Sequence, residues 1–119
     1  MIYHSMKLHP APFAMIASGR KTVELRLNDE KRRRISVGDV IEFTRTDREE
    51  KLSCRVVGLH PFSTFRELYS RFPLTAIGYA EEDVAAASPD DMDAYYSKEE
   101  QEKYGVLGIE LEVITDEHN

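Results

Sequence analysis

The sequence predicts an α+β protein that is mainly β, a small β-barrel with short helices packed around it. Several short segments alternate apolar and polar residues, which is typical of half-buried strands. Capping residues or prolines mark helix starts between these segments, and each helical pattern soon meets a glycine or a proline. The chain has 119 residues, so we expect one domain over 1–119 with its own core.

The first half of the chain gives the clearest elements. Residues 6–8 predict a short strand, and Pro10 then predicts a helix start, because proline fits the first helical turn. Gly19 suits the position after the helix end. Residues 22–27 alternate cleanly and predict a strand whose apolar side chains face the core. These side chains are Val23, Leu25 and Leu27.

The remaining elements follow from turns and caps. Residues 28–34 predict a polar, basic loop, and residues 40–43 and 52–59 predict a hairpin. Three helix starts follow, marked by Thr64, by Ser88 before Pro89, and by Ser97. A last strand over 106–114 contains Gly108, which predicts a bulge or a close approach of another element.

Composition narrows the class of protein. Hydrophobic residues make up 41% and charged residues 32%, as in a soluble globular protein, and no apolar run could cross a bilayer. We therefore expect a cytoplasmic protein. The single cysteine, Cys54, lies in an alternating segment and is expected to be a small buried residue. Because the four histidines are scattered, we expect no metal site, and no motif in the sequence indicates a cofactor.

Charge is distributed unevenly along the chain. The net charge is −6, yet residues 20–34 carry seven positive and three negative side chains. Residues 81–102 carry nine acids and one lysine, and they overlap an insertion-like acidic segment (residues 78–95). The basic stretch could meet phosphate, since salt screens charges beyond about 8–10 Å. The alternative is a solvated charged loop, which charge alone favours.

The densest group of candidate functional residues follows Gly19. Lys21, Glu24 and Arg26 lie within six residues, and Glu24 and Arg26 share one strand face. Two cations beside one carboxylate could keep it ionised and leave a positive charge for phosphate. The alternative is an exposed ion pair that contributes about 0–1 kcal/mol.

Residues 19–26 resemble the GxKxxExR signature of ASCH domains, which are similar in fold to PUA domains. Most of the chain shares the resemblance, except the acidic segment. The flanking residues that share it are 7–8, 12–13, 16, 29–32, 37–43, 96–100 and 104–106. The resemblance implies a PUA-like β-barrel, a cleft beside the motif strand and a role in RNA binding.

The same resemblance implies an enzymatic alternative. Some relatives are small amidohydrolases that remove the acetyl group of N4-acetylcytidine, with the motif lysine as base, a threonine as nucleophile and a distant glutamate as proton donor. Here Glu24 occupies the threonine position, and Thr22 lies two residues too early. Glu81 and Glu82 are candidates for the distant acid. If the protein is an enzyme, Lys21 and Glu24 are the candidate catalytic residues.

Two functional hypotheses result. In the first, RNA or a modified nucleoside or nucleotide binds in the cleft: Lys21 and Arg26 meet phosphate, and Glu24 accepts hydrogen bonds from a base edge or a ribose hydroxyl. In the second, the protein hydrolyses a modified nucleoside or RNA, which requires a partly neutral Lys21, whereas the neighbouring carboxylate favours a charged lysine. A protein-interaction domain that uses the acidic segment is a third interpretation.

Further residues were assigned to the binding hypothesis. Lys31 and Arg32 follow the motif strand and are expected to flank the cleft entrance. A tyrosine, Tyr96 or Tyr104, is expected to line the cleft. Ser97 is either a ligand contact or the cap of the following helix, and the capping role is favoured.

Overall fold

A computed structural model describes residues 1–115, which form a curled five-stranded sheet with short helices around it. The strands are β1 (Tyr3–Leu8), β2 (Val23–Leu27), β3 (Val40–Arg45), β4 (Lys51–Phe62) and β5 (Val106–Val113). They lie in the order β1-β3-β4-β5-β2, with β1 parallel to β3 and all other neighbours antiparallel. The sheet forms a half-barrel, which confirms the predicted small, mainly β, α+β fold.

Short helices connect the strands. The α-helices are α1 (Pro10–Ala17), α2 (Glu30–Arg33), α3 (Phe65–Arg71) and α4 (Lys98–Tyr104). Two 3₁₀ helices, Glu81–Ala86 and Pro89–Ala94, lie in the acidic segment. Local caps set the starts of α3 and α4, as predicted: the Glu67 N–H donates to Thr64 Oγ1 over 3.2 Å, and Ser97 forms a capping box with Glu100.

One loop prediction needs correction, and one predicted helix start is confirmed with a different helix type. Residues 28–34 do not form a loop, because Asp29 caps the one-turn helix α2 by accepting a hydrogen bond from the Arg32 N–H over 3.1 Å. The helix that starts at Ser88 is a 3₁₀ helix. Its first turn is closed by a backbone bond of the 3₁₀ type, with the Asp91 N–H donating to Ser88 O over 3.0 Å.

Gly108 marks a close approach. β5 runs without interruption from Val106 to Val113, and the bulge lies instead in β4, between Val56 and Gly58. A Cβ on Gly108 would stand 3.3 Å from Val23 Cγ1 and 3.5 Å from Leu68 Cδ1. Glycine here lets α3 pack closely against the sheet.

The sheet is buried on both faces. The inner face of the half-barrel holds the larger cluster: Met6, Leu8, Phe13, Ile16, Ile35, Ile41, Phe43, Cys54, Val56, Leu107, Ile109 and Leu111. The outer cluster packs under α3 and consists of Val23, Leu25, Phe65, Leu68, Ile77 and Val106. Val23 and Leu25 are therefore buried, as predicted, but against α3 rather than inside the half-barrel. Cys54 is fully buried, and burial raises its pKa to about 11, as befits an inert thiol.

A buried carboxylate fixes the N-terminal end of the sheet. Asp39 is 4% exposed and accepts hydrogen bonds from the Ile2 N–H at 3.0 Å and the Ser36 N–H at 2.9 Å. The His4 ring nitrogen lies 2.8 Å from Asp39 Oδ2. This contact, together with the two backbone donors, lowers the pKa of Asp39 to about 2.

Candidate functional site

A cleft of about 670 Å³ opens where the half-barrel is incomplete. β1 and β2 are the two edge strands, and curling of the sheet brings them next to each other beside this cleft. β1 contributes Lys7 and Leu8, and β2 contributes Glu24, Leu25 and Arg26. The volume is within the range of small-molecule sites.

Other elements complete the lining. α1 and the residues around it contribute His9, Ala11, Pro12 and Met15, and the turn before β2 contributes Lys21. The opposite wall, which meets the first wall where Gly78 contacts Lys21, consists of Tyr69, Ile77, Gly78, Tyr79, Asp91, Met92, Ala94, Tyr95 and Tyr96. Six of these nine residues belong to the acidic segment. The part of the chain with the weakest family resemblance therefore forms much of one wall.

Glu24 is the charged centre of the cleft. It is 4% exposed and lies on the inner face of the half-barrel, opposite Ile109 of β5. Lys21 Nζ donates to Glu24 Oε1 over 2.7 Å, and Arg26 Nε donates to Glu24 Oε2 over 2.8 Å. The two cations are themselves mostly buried, with side chains 10% and 15% exposed. This is a desolvated three-residue network rather than an exposed ion pair.

The electrostatics of this network keep Glu24 ionised. Burial by itself raises the pKa of Glu24, but the charges and hydrogen bonds of Lys21 and Arg26 outweigh burial and lower the pKa below its usual range. The three side chains carry one net positive charge, because two cations share one carboxylate. An anionic or strongly accepting ligand group would therefore be stabilised here.

Tertiary contacts hold the three side chains in place. Arg26 also donates from Nη2 to Lys7 O over 2.9 Å, which links β2 to β1 across the seam. The backbone N–H groups of Thr22 and Val23 both donate to Ala76 O, at 2.9 and 3.1 Å. The cationic side of the cleft is thus built on the sheet and on the turn before Gly78.

Gly78 packs directly on Lys21. It has φ +119°, which favours glycine, and a Cβ at this position would lie 3.2 Å from Lys21 Cδ. The stem of Lys21 is therefore confined between its own turn and the start of the acidic segment. This confinement directs the lysine ammonium toward Glu24.

Tyrosines dominate the opposite wall. The Tyr69 and Tyr79 hydroxyls lie 2.7 Å apart, and the Tyr79 hydroxyl donates to Asp91 Oδ2 over 2.7 Å. Tyr96 stacks on Phe65 at 6.1 Å between ring centroids, and burial raises the pKa of Tyr96. Tyr95 stands at the cleft with 65% of its surface exposed. An exposed aromatic ring beside a cleft is suited to stack on a planar ligand.

The structure brings together four of the seven residues that the sequence suggested. Lys21, Glu24, Arg26 and Tyr96 all line the cleft. The alternative second tyrosine, Tyr104, does not.

Lys31, Arg32 and Ser97 are not among the residues that line the cleft. Arg32 pairs with Asp29 at 3.2 Å, and Lys31 is exposed on α2. Ser97 caps α4, accepting a hydrogen bond from the Glu100 N–H over 3.1 Å. The side chains of Arg32 and Ser97 are thus engaged in the local structure at the starts of α2 and α4.

Sequence reasoning missed six lining residues that carry polar groups or exposed rings: Lys7, His9, Tyr69, Tyr79, Asp91 and Tyr95. Tyr69 lies in the predicted helix after Thr64, where its pattern gives no sign of a binding role. The others lie in segments without a motif, and their partners are distant in sequence. The one available signal was the clustering of tyrosines near the acidic segment.

Residues 1–115 contain no group of three or more His, Cys, Asp or Glu side chains placed to hold a metal ion. Over the same residues, the helices lack the length and hydropathy of a membrane span. Glu81 and Glu82, the candidates for a distant catalytic acid, are exposed on the first 3₁₀ helix and do not line the cleft.

Comparison with known proteins agrees with the signature at 19–26. The sequence model of the ASCH domain matches residues 6–115. The chain belongs to the ASCH domain family. A search of curated proteins finds no match.

Two solved structures are similar over nearly the whole chain. One is the crystal structure of the hypothetical protein PH0355, whose sequence is 31% identical to this chain. Its TM-score is 0.78, and the match covers 96% of this chain and 100% of the other. The solution structure of PF0455 from Pyrococcus furiosus is also 31% identical, with a TM-score of 0.74 over 94% and 97%. A mutant ASCH protein from Zymomonas mobilis, at 16% identity, shares the fold with a TM-score of 0.64 over 94% of this chain and 74% of its own. The architecture is that of a small PUA-like α+β fold.

Proposed function

We propose that this ASCH domain binds RNA, or a modified nucleoside or nucleotide, in the cleft between β1 and β2. The observation that carries the proposal is the buried Glu24 carboxylate, held between Lys21 and Arg26 at 2.7 and 2.8 Å inside a cleft with a tyrosine wall. Such a site offers hydrogen-bond donors, an acceptor and aromatic surface at once. Nucleosides and nucleotides present all three complementary features.

Each side of the cleft has a distinct role in this proposal. Lys21 and Arg26 bind a phosphate or another anionic acceptor, because their network carries net positive charge. The remaining lone pairs of Glu24 accept a hydrogen bond from a ribose hydroxyl. The base lies on the opposite wall, where Tyr95 and Tyr96 provide aromatic surface.

The ion pair supports binding over lysine-based hydrolysis. A lysine that acts as a base must give up its proton, whereas the ammonium of Lys21 donates to an ionised carboxylate at 2.7 Å. Glu24 also occupies the position of the threonine nucleophile of the N4-acetylcytidine amidohydrolases. We therefore expect little or no release of acetate when the protein is incubated with N4-acetylcytidine. Turnover that disappears in Lys21→Ala would contradict this expectation.

The direct test is binding of a short, labelled single-stranded RNA by fluorescence anisotropy, with competition by unlabelled nucleosides and nucleotides. Arg26→Gln should weaken binding at least about tenfold, because it removes one charge-assisted contact of the cleft. Arg48→Gln is the matched control, since this arginine is 60% exposed and lies outside the cleft. Equal affinity of the wild type and Arg26→Gln would overturn the proposed site.

A salt series separates a single bound nucleotide from a longer strand. If RNA continues past the cleft over α2, the double variant Lys31→Gln, Arg34→Gln should reduce the slope of log affinity against log salt by about 0.7 for each phosphate contact. The affinity for a nucleoside that fills only the cleft should not change. An unchanged slope for RNA would show that the RNA makes no phosphate contacts with Lys31 or Arg34.

A further inference from the structure

The tyrosine wall contains a chain of hydrogen bonds that ends in a carboxylate. Tyr69 Oη and Tyr79 Oη are 2.7 Å apart, and Tyr79 Oη is 2.7 Å from Asp91 Oδ2 and 3.3 Å from Ser88 O. Asp91 Oδ2 also accepts the Ser88 N–H at 3.2 Å, as part of the capping box of the second 3₁₀ helix. The side chains of Tyr69, Tyr79 and Asp91 all line the cleft.

The distance between the two hydroxyls does not determine which of them donates, but their neighbours do. Tyr79 has a single hydroxyl hydrogen, and both Asp91 Oδ2 and Ser88 O are acceptors only. If this hydrogen pointed to Tyr69, two oxygens would face each other at 2.7 Å with no hydrogen between them. The Tyr79 hydroxyl therefore donates toward Asp91, and the Tyr69 hydroxyl donates to Tyr79.

The pKa values of Tyr69 and Tyr79 agree with this direction of hydrogen bonding. Burial raises the pKa of Tyr79, and its hydrogen bond to Asp91 raises it further. Burial also raises the pKa of Tyr69. Both phenols keep their hydrogens at neutral pH, and the capping box holds the carboxylate at the end of the chain.

We propose that Tyr69 is a specificity residue of the cleft, whose oxygen acts toward the ligand only as an acceptor and selects a base that carries an exocyclic amino group. Its one hydrogen is used by Tyr79, so only its lone pairs remain for a ligand. The base is the ligand part expected here, because the phosphate is assigned to Lys21 and Arg26, which are separate lining residues of the cleft. This inference rests on the proposed function and adds the chemistry that the wall recognises.

The test uses ribosides that differ at one ring carbon, the one that bears the amino group in adenosine and in cytidine. For each base there are three ribosides, which carry an amino group, a hydrogen or a methoxy group at this carbon. Calorimetry measures how tightly each of them binds. The wild type should bind the amino compound roughly tenfold more tightly than the other two, because a methoxy oxygen meets an acceptor and hydrogen makes no bond.

Two variants and a control locate the effect. Tyr69→Phe should remove the preference while retaining the aromatic ring. Tyr79→Phe should free the Tyr69 hydroxyl to donate, so that binding of the methoxy compound improves. Tyr3→Phe is the control, since Tyr3 is 69% exposed and lies outside the cleft; it should keep the full preference.

Equal binding of the three ribosides by the wild type, or a preference that survives in Tyr69→Phe, would overturn this inference and leave the proposed function intact. If no riboside of either series binds, the inference fails. The RNA measurement on Arg26→Gln then decides separately whether the proposed function fails as well.

Discussion

The two sides of the cleft are built in different ways. β2 carries Glu24 and Arg26 and pairs along its whole length with β5, which is about 80 residues away in sequence. The acidic segment carries the tyrosine wall and is closed by short-range bonds, such as those from Asp83 N–H to Ala80 O and from Asp91 N–H to Ser88 O. One side therefore belongs to the cooperative core of the half-barrel, and the other is a set of capped turns packed on it.

This difference indicates which side of the cleft tolerates substitutions. A substitution in β2 disturbs the sheet and the charged centre together, because the same residues serve both. A substitution in the acidic segment alters the wall while the sheet keeps its hydrogen bonds. We expect ligand selectivity to vary through the wall, whereas the anionic or accepting part of the ligand is bound by the sheet side.

The largest effect should come from Glu24→Gln. The change leaves two mostly buried cations without their carboxylate, and loss of one partner of a buried ionic group costs about 3 kcal/mol of unfolding free energy. Urea unfolding measures this loss, and ligand affinity should fall with it. Glu112→Gln is the matched control, because Glu112 is an exposed carboxylate on β5. A Glu24→Gln protein as stable as its control would show that the network contributes no stability.

Gly78→Ala should have the next largest effect, at the junction of the two sides. The positive φ of 119° and the 3.2 Å approach to Lys21 Cδ together imply a loss of about 2 kcal/mol and weaker ligand binding. Gly38→Ala is the control: Gly38 has φ +97°, but a Cβ there meets no atom within 4 Å. Both variants should lose stability in urea unfolding, whereas only Gly78→Ala should lose ligand affinity. Equal affinities would show that Gly78 does not position Lys21.

A smaller effect concerns the pH dependence of stability, to which a carboxylate of the sheet should contribute and a carboxylate of the acidic segment should not. The pKa of Asp39 is lowered to about 2, so its stabilising effect is complete above the pKa of an unfolded aspartate, near 3.9, and is lost as the pH falls toward 2. Asp39→Asn should therefore reduce stability at pH 7 and flatten the pH dependence between 4 and 2. Asp83→Asn, at an exposed position on the first 3₁₀ helix, should leave the wild-type curve unchanged. Identical curves for wild type and Asp39→Asn would contradict this assignment.

The smallest effect concerns Ser97. Its hydroxyl caps α4, so Ser97→Ala should cost about 1 kcal/mol in thermal or urea unfolding, without a change in ligand affinity. Ser5→Ala, at an exposed position on β1, is the control and should cost less. A loss of ligand affinity in Ser97→Ala would indicate that this serine contacts the ligand.

Sequence by itself determined the local features of this protein. Alternation over 22–27 placed Glu24 and Arg26 on one strand face, and capping residues located α3 and α4, because strand parity and helix caps depend on residues only a few positions apart. The signature at 19–26 likewise needed no tertiary information.

Only the tertiary structure decided what lies across from these residues. Alternation cannot say that both faces of β2 are buried, that curling of the sheet brings Lys7 beside Arg26, or that Tyr79 and Asp91 form the opposite wall. Nor could the charge of residues 31–34 show that Asp29 caps a helix there, or that Lys31 and Arg32 do not line the cleft. These outcomes depend on the order of the strands and on contacts between segments far apart in sequence, which no local pattern encodes.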